Sequence, residues 1–510
     1  MASAASDVTD APPPSPPPLG PDGWQCVLRH APLPVTLRIA SVSHDVYEAA
    51  KACLAATDTL DVAALQCGLP DPDDDAITDE VLEILVDAMP SLTSLTLTRC
   101  GSVSDYAIAG AIASVSQTLT SLDLSETALG NDAFASVWTT LPALTSLDVE
   151  GCLELTDELI HLLLAEEGDA LRPVGPVSSL CVSSLPNVGP ASAASLAVGC
   201  KDTLTVLDIS GYELLAAPTL ADVVEHCSSL RVLRAVESEL LDDRACERFH
   251  ARLRKIELSW CTGVSTDAVR SIATACPMLE ELEVRCCTGI NAAEAIHALS
   301  TFGGEHIAAL NLNRCDGALP EAPIIFGYAD GSRTFMMNDG TRLQDHMLTE
   351  PSHWLGKLQT IPSLTWLDCG WLSDLVDDAG VTLLLRTLPQ LRVLSVEGCK
   401  KLSDVAILPL TQVQPSQGAD SLIRLNTSWV DGISNEALHQ ALRAVATREE
   451  AKRGRDRRRT QLLVLDYYGV VWGLDPSTHK AVRCNLHDAD AEGRAGLPHR
   501  LHGWVAAWDG

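Results

Sequence analysis

The sequence predicts an α/β solenoid of stacked strand–turn–helix coils. Three observations carry this: a change of hydrophobic period within one line, the recurrence of that line, and a cysteine at a fixed place in it. In "LTSLDVEGCLELTDELIHLLL", Leu144 to Leu164, the apolar residues at 144, 147 and 149 alternate too tightly for a helix, whereas the stretch from Thr156 on has helical spacing. A period near two followed by one near 3.6 reads as a strand, a turn and a helix in succession. The line begins again at Leu92, Leu119, Leu253, Leu279, Ile307 and Leu391, with weaker copies at Val177, Leu204, Leu230, Leu364, Leu422 and Leu462. A degenerate first copy lies in "TLDVAALQCGLPDPDDDAITDEVL".

Many intervals lie near 26 residues, as in 92 to 119, 204 to 230 and 253 to 279. L-x-x-L-x-L-x-x-C at that period marks a leucine-rich repeat, so a horseshoe is expected, with parallel strands on its concave face and helices on its convex face. Cys100, Cys152, Cys261, Cys287, Cys315 and Cys399 stand at a narrow turn position, where a small thiol tolerates burial and bonds weakly to nearby backbone. Cys200, Cys227 and Cys276 recur near the helix exit. Ser104-Asp105, Thr156-Asp157, Thr266-Asp267 and Ser403-Asp404 stand where helices begin. There the hydroxyls suit free N–H groups and the carboxylates suit the positive end of the helix dipole.

The organisation expected is a disordered Pro-rich tail over 1–20, a helical segment over 21–58, a solenoid of about 13 coils over 59–484, and a C-terminal cap or tail over 485–510 that holds Trp504 and Trp508. An insertion at 316–360 carries two Asp-Gly turn signals and β-prone flanks such as Ile324 to Tyr328, which predicts a projecting hairpin. Such a loop serves binding or is a tolerated addition. A basic loop at 448–460, "REEAKRGRDRRR", reads as a solvated loop, a nuclear-import signal or an anion-binding patch.

Composition narrows the function. With 36 basic and 68 acidic residues the formal charge is −32, which disfavours nucleic acid and fits either a basic protein partner or simple solubility. None of the seventeen cysteines forms a C-x-x-C pair, so reduced thiols in an intracellular protein, cytoplasmic or nuclear, are expected, with no metal. No apolar run is long enough for a membrane span, and the N-terminus has no signal-peptide core. G-x-x-x-x-G-K-[ST], G-x-S-x-G and H-E-x-x-H are all absent, so neither an enzyme nor a cofactor is expected.

A protein partner on the concave face is expected instead. Early coils place small or acidic residues there: Ser94, Thr96, Asp123, Ser125, Asp148, Glu150 and Asp208. In later coils Trp260, Trp371 and Trp429 fill the slot just before the turn position, which Arg314 and Arg99 share. Trp366, Arg285, Arg424 and Tyr468 lie on nearby strand-face positions. With ten tryptophans and five phenylalanines, the core is not expected to rely on aromatics. Trp and Arg dominate interface energetics, which makes these residues the candidate contacts; rings packed on each other or under the insertion are the alternative.

Gly23 to Ala56, "GWQCVLRHAPLPVTLRIASVSHDVYEAAKACLAA", lacks the repeat signature and reads as short helices broken at "APLP". Its run "VLRHAPLPVTLRIASVSHDVYEAA" resembles a degenerate F-box, the module that docks on the adaptor subunit of cullin-based (SCF-type) ubiquitin ligases. It departs from that family in lacking the opening Leu-Pro and in having Val46 where a tryptophan is usual. With its cysteine-containing repeats, the chain resembles the F-box/leucine-rich-repeat proteins. That resemblance implies a non-catalytic substrate-recognition subunit whose Leu28, Leu33, Leu37, Val42 and Val46 meet the adaptor. The alternatives are a plain N-terminal cap and a leucine-rich-repeat scaffold in a cytoskeletal, ciliary or signalling assembly.

Overall fold

A three-residue strand starts each described coil, with an aliphatic residue at its centre: leucine in most, Ile256 and Val464 in two. The computed structural model describes residues 44–62, 78–167, 173, 175–315, 324–327, 333–336, 342–343, 351–373, 375–411, 422–451, 463–465, 471–474 and 481–483. The chain divides into two units, Met1–Glu154 with Val174–Pro176 and Leu155–Pro173 with Val177–Gly510.

In the first unit, β1 (Thr59–Asp61), β2 (Ser94–Thr96), β3 (Ser121–Asp123) and β4 (Ser146–Asp148) pair in parallel and in register. Leu60, Leu95, Leu122 and Leu147 therefore form one buried row. Helices Asp79–Asp87, Asp105–Ser114 and Asn131–Thr140 alternate with these strands. Contrary to the sequence expectation, aromatics do enter this core: Phe134 and Trp138 are buried and stack with centroids 5.5 Å apart.

The second unit repeats the plan in β5 (Ser179–Cys181), β6 (Val206–Asp208), β7 (Val232–Arg234), β8 (Lys255–Glu257), β9 (Glu281–Glu283) and β10 (Ala309–Asn311). The insertion then contributes β11 (Ile324–Gly327), β12 (Arg333–Met336) and β13 (Arg342–Leu343), which form an antiparallel sheet of their own, one strand more than a hairpin. The parallel run resumes beside β10 with β14 (Trp366–Asp368), β15 (Val393–Ser395), β16 (Arg424–Asn426) and β17 (Leu463–Leu465). Two antiparallel strands, β18 (Val471–Leu474) and β19 (Ala481–Arg483), add beyond β17. No helix among the described residues is long and apolar enough to cross a membrane. The tail at 1–20, most of the basic loop and the residues from 485 on lie outside the described residues.

Three hydrogen-bond ladders join coil to coil. The turn cysteines donate to a carbonyl of the preceding coil: Cys152 to Leu124 at 3.1 Å, Cys261 to Ala235 at 3.1 Å, Cys287 to Leu258 at 3.0 Å and Cys315 to Val284 at 2.9 Å. No described cysteine is in a disulfide, and burial pushes the Cys261 thiol up to about 11 and those of Cys287 and Cys399 up to about 12. They are neutral packing groups rather than nucleophiles.

The second ladder is formed by the aspartates at the helix starts. The sequence placed their charge against the dipole of their own helix, but each reaches the cap of the next coil. Asp79 accepts from the Ser104 N–H at 2.7 Å and hydroxyl at 2.6 Å, Asp105 from the Gly130 N–H at 2.7 Å, and Asp404 from the Ser434 N–H at 2.6 Å. Asp243 does the same for Ser265, and Asp378 for Ser403. Asp267 is the exception: it pairs with Arg270, and the cap of its helix is Ser265 rather than Thr266.

The third ladder is made by main chain just past each strand. Trp260 N donates to Arg285 O at 2.8 Å, Cys286 N to Asn313 O at 2.8 Å, Arg314 N to Gly370 O at 3.0 Å and Gly398 N to Ser428 O at 2.8 Å. Every described residue in this slot has positive φ: Arg99, Glu126, Ser184, Glu237, Trp260, Cys286, Arg314, Trp371 and Trp429, together with Gly151, Gly211 and Gly398.

Candidate functional site

The slot singled out for Trp260, Arg314, Trp371 and Trp429 is thus the left-handed turn residue beyond the strand, not a position on the strand itself. An L residue there costs on the order of 1 kcal/mol relative to glycine, and a bulky one is a true outlier. Gly151, Gly211 and Gly398 show that this fold uses glycine in the slot freely, so packing of the turn does not demand tryptophan. Trp260 and Trp429 are 45% and 56% exposed, with φ of 63° and 58°.

Successive coils place Trp260, Cys286, Arg314, Trp371, Gly398 and Trp429 in one row along the rim of the sheet. At about 4.8 Å per coil, Trp371 lies about 10 Å from Trp429 and about 14 Å from Trp260. Trp371 is the fixed member. The Arg314 guanidinium sits 5.0 Å from its ring centroid on one side, and its Nε1 donates to Glu397 Oε1 at 3.2 Å. On the other side the indole covers Gly398, where a Cβ would meet ring atoms at 2.5 Å. The exposed Arg314 and the half-buried Trp371 form a cation–π pair bracketed by the two open rings.

The remaining candidates lie elsewhere. Trp366 and Arg424 begin β14 and β16, at the opposite end of the strands, on the order of 15 Å from the rim row. Trp366 is half-buried, and Arg424, expected on an open face, is only 9% exposed. Arg285, between the two rows, is half-buried with its Nε buried and unbonded. Tyr468, Leu28, Leu33, Leu37 and Val42 lie outside the described residues, and Val46 falls within the helix His44–Ala55.

Beneath the rim is a floor that the sequence did not reveal. Asn311, Asn313, Asp368, Ser395, Asn426 and Ser428 project on the outward side of β10 to β16 or just past it, yet all are buried. Asp368 accepts from the Gly370 N–H at 2.9 Å and from Asn313 Nδ2 at 3.2 Å. Burial pushes its carboxyl up to about 6, against the lowering effect of those hydrogen bonds. Asn426 accepts from the Ser428 N–H at 3.0 Å and donates to Ser395 Oγ at 3.3 Å. Asp and Asn at this strand position cap the N–H two residues on, as Asp123 and Asp148 also do, each at 3.0 Å. The aspartates of the "LDL"-like strands therefore have a turn-forming role beyond solubility.

Comparison with known proteins agrees with the ladders. Residues 115–133 match a family model described as Leucine Rich repeat. The yeast Rad7 and Elc1 complex structure is similar to this chain with a TM-score of 0.51 and 18% identity, covering 75% of this chain and 89% of that one. The fold is that of a leucine-rich-repeat protein. The leucine-rich repeat-containing protein LegL7 from Legionella pneumophila matches at TM-score 0.33 and 13% identity, over 77% of this chain and 96% of that one. An internalin (inlF) from Listeria monocytogenes matches at 0.30 and 12%, over 84% and 85%. No curated protein matches the chain.

Proposed function

We propose that the chain is a non-catalytic protein-binding solenoid that serves as the substrate-recognition subunit of a cullin-based ubiquitin ligase. It grips its target along the rim carrying Trp260, Arg314, Trp371 and Trp429. The observation that carries this reading is the use of exposed tryptophan at left-handed turn positions where glycine costs less. Large exposed rings at such positions suit a partner's pocket, and each is worth on the order of 2 kcal/mol of binding when buried there. The ligase role draws on the F-box-like run through Leu28, Leu33, Leu37, Val42 and Val46, and on the likeness to Rad7, which forms a complex with Elc1.

Two measurements test the reading. The full chain should retain the ligase adaptor in a pull-down and lose it on Leu37→Asp with Val42→Asp. No retention by folded wild-type chain would assign it a scaffold role instead. Trp260→Ala with Trp429→Ala should strip a defined set of co-purifying proteins while thermal stability stays nearly unchanged. A large stability loss would show that the two rings serve packing.

A further inference from the structure

At the other end of the strands, where helix exits lead into β6, β7 and β8, three coils line an open surface cavity of about 340 Å³. It is lined by Thr203, Thr205, Ser229, Arg231, Arg252 and Arg254, with Ala251. Because Val206 pairs with Val232 and Val232 with Lys255, the residues just before the strands form a row in register, Thr205–Arg231–Arg254. A second row two residues earlier runs Thr203–Ser229–Arg252. Like charges side by side on parallel strands, about 4.8 Å apart, repel each other. In a chain of net charge −32, three arginines meeting at one place run against the average composition.

Their hydrogen bonds show what remains available. Arg254 Nη1 donates to Met278 O and Glu280 Oε1, both at 3.2 Å, and Arg252 Nη1 donates to Ser228 O at 3.3 Å. Those bonds anchor each guanidinium by one nitrogen and leave the Nε–Nη2 edge, the fork that binds two oxygens of one anion. The Arg231 side chain bonds to nothing among the described residues, and Glu280 is the acid paired with this group there. Thr203 and Thr205 donate their hydroxyl protons to Val177 O at 2.6 Å and Ser178 O at 3.0 Å, so they form wall, while the Ser229 hydroxyl makes no bond among the described residues.

We propose that this cavity binds a phosphate monoester dianion through Arg231, Arg252, Arg254 and Ser229, independently of the rim tryptophans. The group belongs either to a small phosphorylated compound or to a phosphorylated side chain of a bound protein.

The test is titration calorimetry of the full chain at low ionic strength with inorganic phosphate, a glycine-flanked phosphoserine peptide and its unphosphorylated form. Saturable binding of phosphate and phosphopeptide, but not of the plain peptide, is expected. Arg231→Gln, which removes no bond within the protein, should weaken both by about tenfold, and adding Arg252→Gln should weaken them further. Tighter binding of the phosphopeptide than of phosphate assigns the protein-borne source, and equal binding the small compound. No saturable binding at low salt, or binding that the folded double variant retains in full, overturns the proposal.

Discussion

In the coils of β6 to β9 the outward side of the sheet is charged and half-buried, with Glu281 itself buried. Arg234 lies between Asp208 at 3.2 Å and Glu257 at 3.5 Å, and Lys255 meets Glu281 at 2.5 Å. In the coils of β10 to β16 the same strand position holds Asn311, Asp368, Ser395 and Asn426, all buried. The backbone task is shared, since Asp208 caps the Ser210 N–H at 3.2 Å just as Asp368 caps that of Gly370 at 2.9 Å. What differs is access to water. A half-buried ion pair keeps part of its hydration and has an opposite charge beside it, whereas a carboxyl without water or a counter-charge must be held by amides or keep its proton. One repeat plan therefore supports a soft charged surface in one region and a dry polar floor in the other.

Four experiments would break or sharpen that contrast. Leu207→Ala and Leu367→Ala should each cost about 2–5 kcal/mol in urea unfolding, because the inward rows are equally buried. A much smaller loss at Leu367 would mean that the later coils pack differently beneath their floor. Next in size is the pH response of Asp368. The folded chain holds this proton up to about pH 6, against 3.8 for the free group, so unfolding releases it. The stabilisation is present below that lower value and is lost as pH rises through about 6, a change on the order of 2–3 kcal/mol that Asp368→Asn should abolish.

Gly398→Ala and Gly211→Ala come third, at φ of +65° and +78°. Both should lose about 1–2 kcal/mol to left-handed strain. A new Cβ at 398 meets the Trp371 ring at 2.5 Å, whereas at 211 it meets the Ser184 hydroxyl at 2.7 Å, with backbone at 3.1 Å. The first variant should therefore lose more and also change tryptophan fluorescence. Smallest is Arg234→Gln, which breaks two half-buried pairs and is expected to cost about 1 kcal/mol, only part of which molar salt removes.

Much of this fold was legible because its determinants repeat. Leucines at a fixed interval announce strands that must align, and the small thiols announce a narrow place beside a backbone carbonyl. The left-handed slot was less obvious, although Gly151, Gly211 and Gly398 at the same place as Trp260 and Trp371 were the available signal. The floor was hidden because alternating polar residues look the same whether water or protein covers them. The two rows of candidates looked like one surface because spacing along a strand is invisible until registers are known. Arg231 and Arg254 stand 23 residues apart, and only the pairing of β7 with β8 makes them neighbours.

The aspartate ladder is not continuous along the second unit. Helix Pro190–Gly199 starts with Pro190-Ala191 and helix Ala217–His226 with Ala217-Pro218, residues that offer no acceptor to the cap of the following coil, and Ala216 makes no side-chain cap. Joints there lack the aspartate coupling and depend on apolar contact, strand pairing and other bonds between coils, such as Tyr212 Oη to Val182 O at 2.7 Å and Cys227 Sγ to Ala197 O at 3.5 Å. Stretched from its ends, the molecule should part first in this run, between Gly189 and Asp242. A coil grafted elsewhere must bring an acid for its successor and a hydroxyl for its predecessor, much as a carriage needs a coupling at each end.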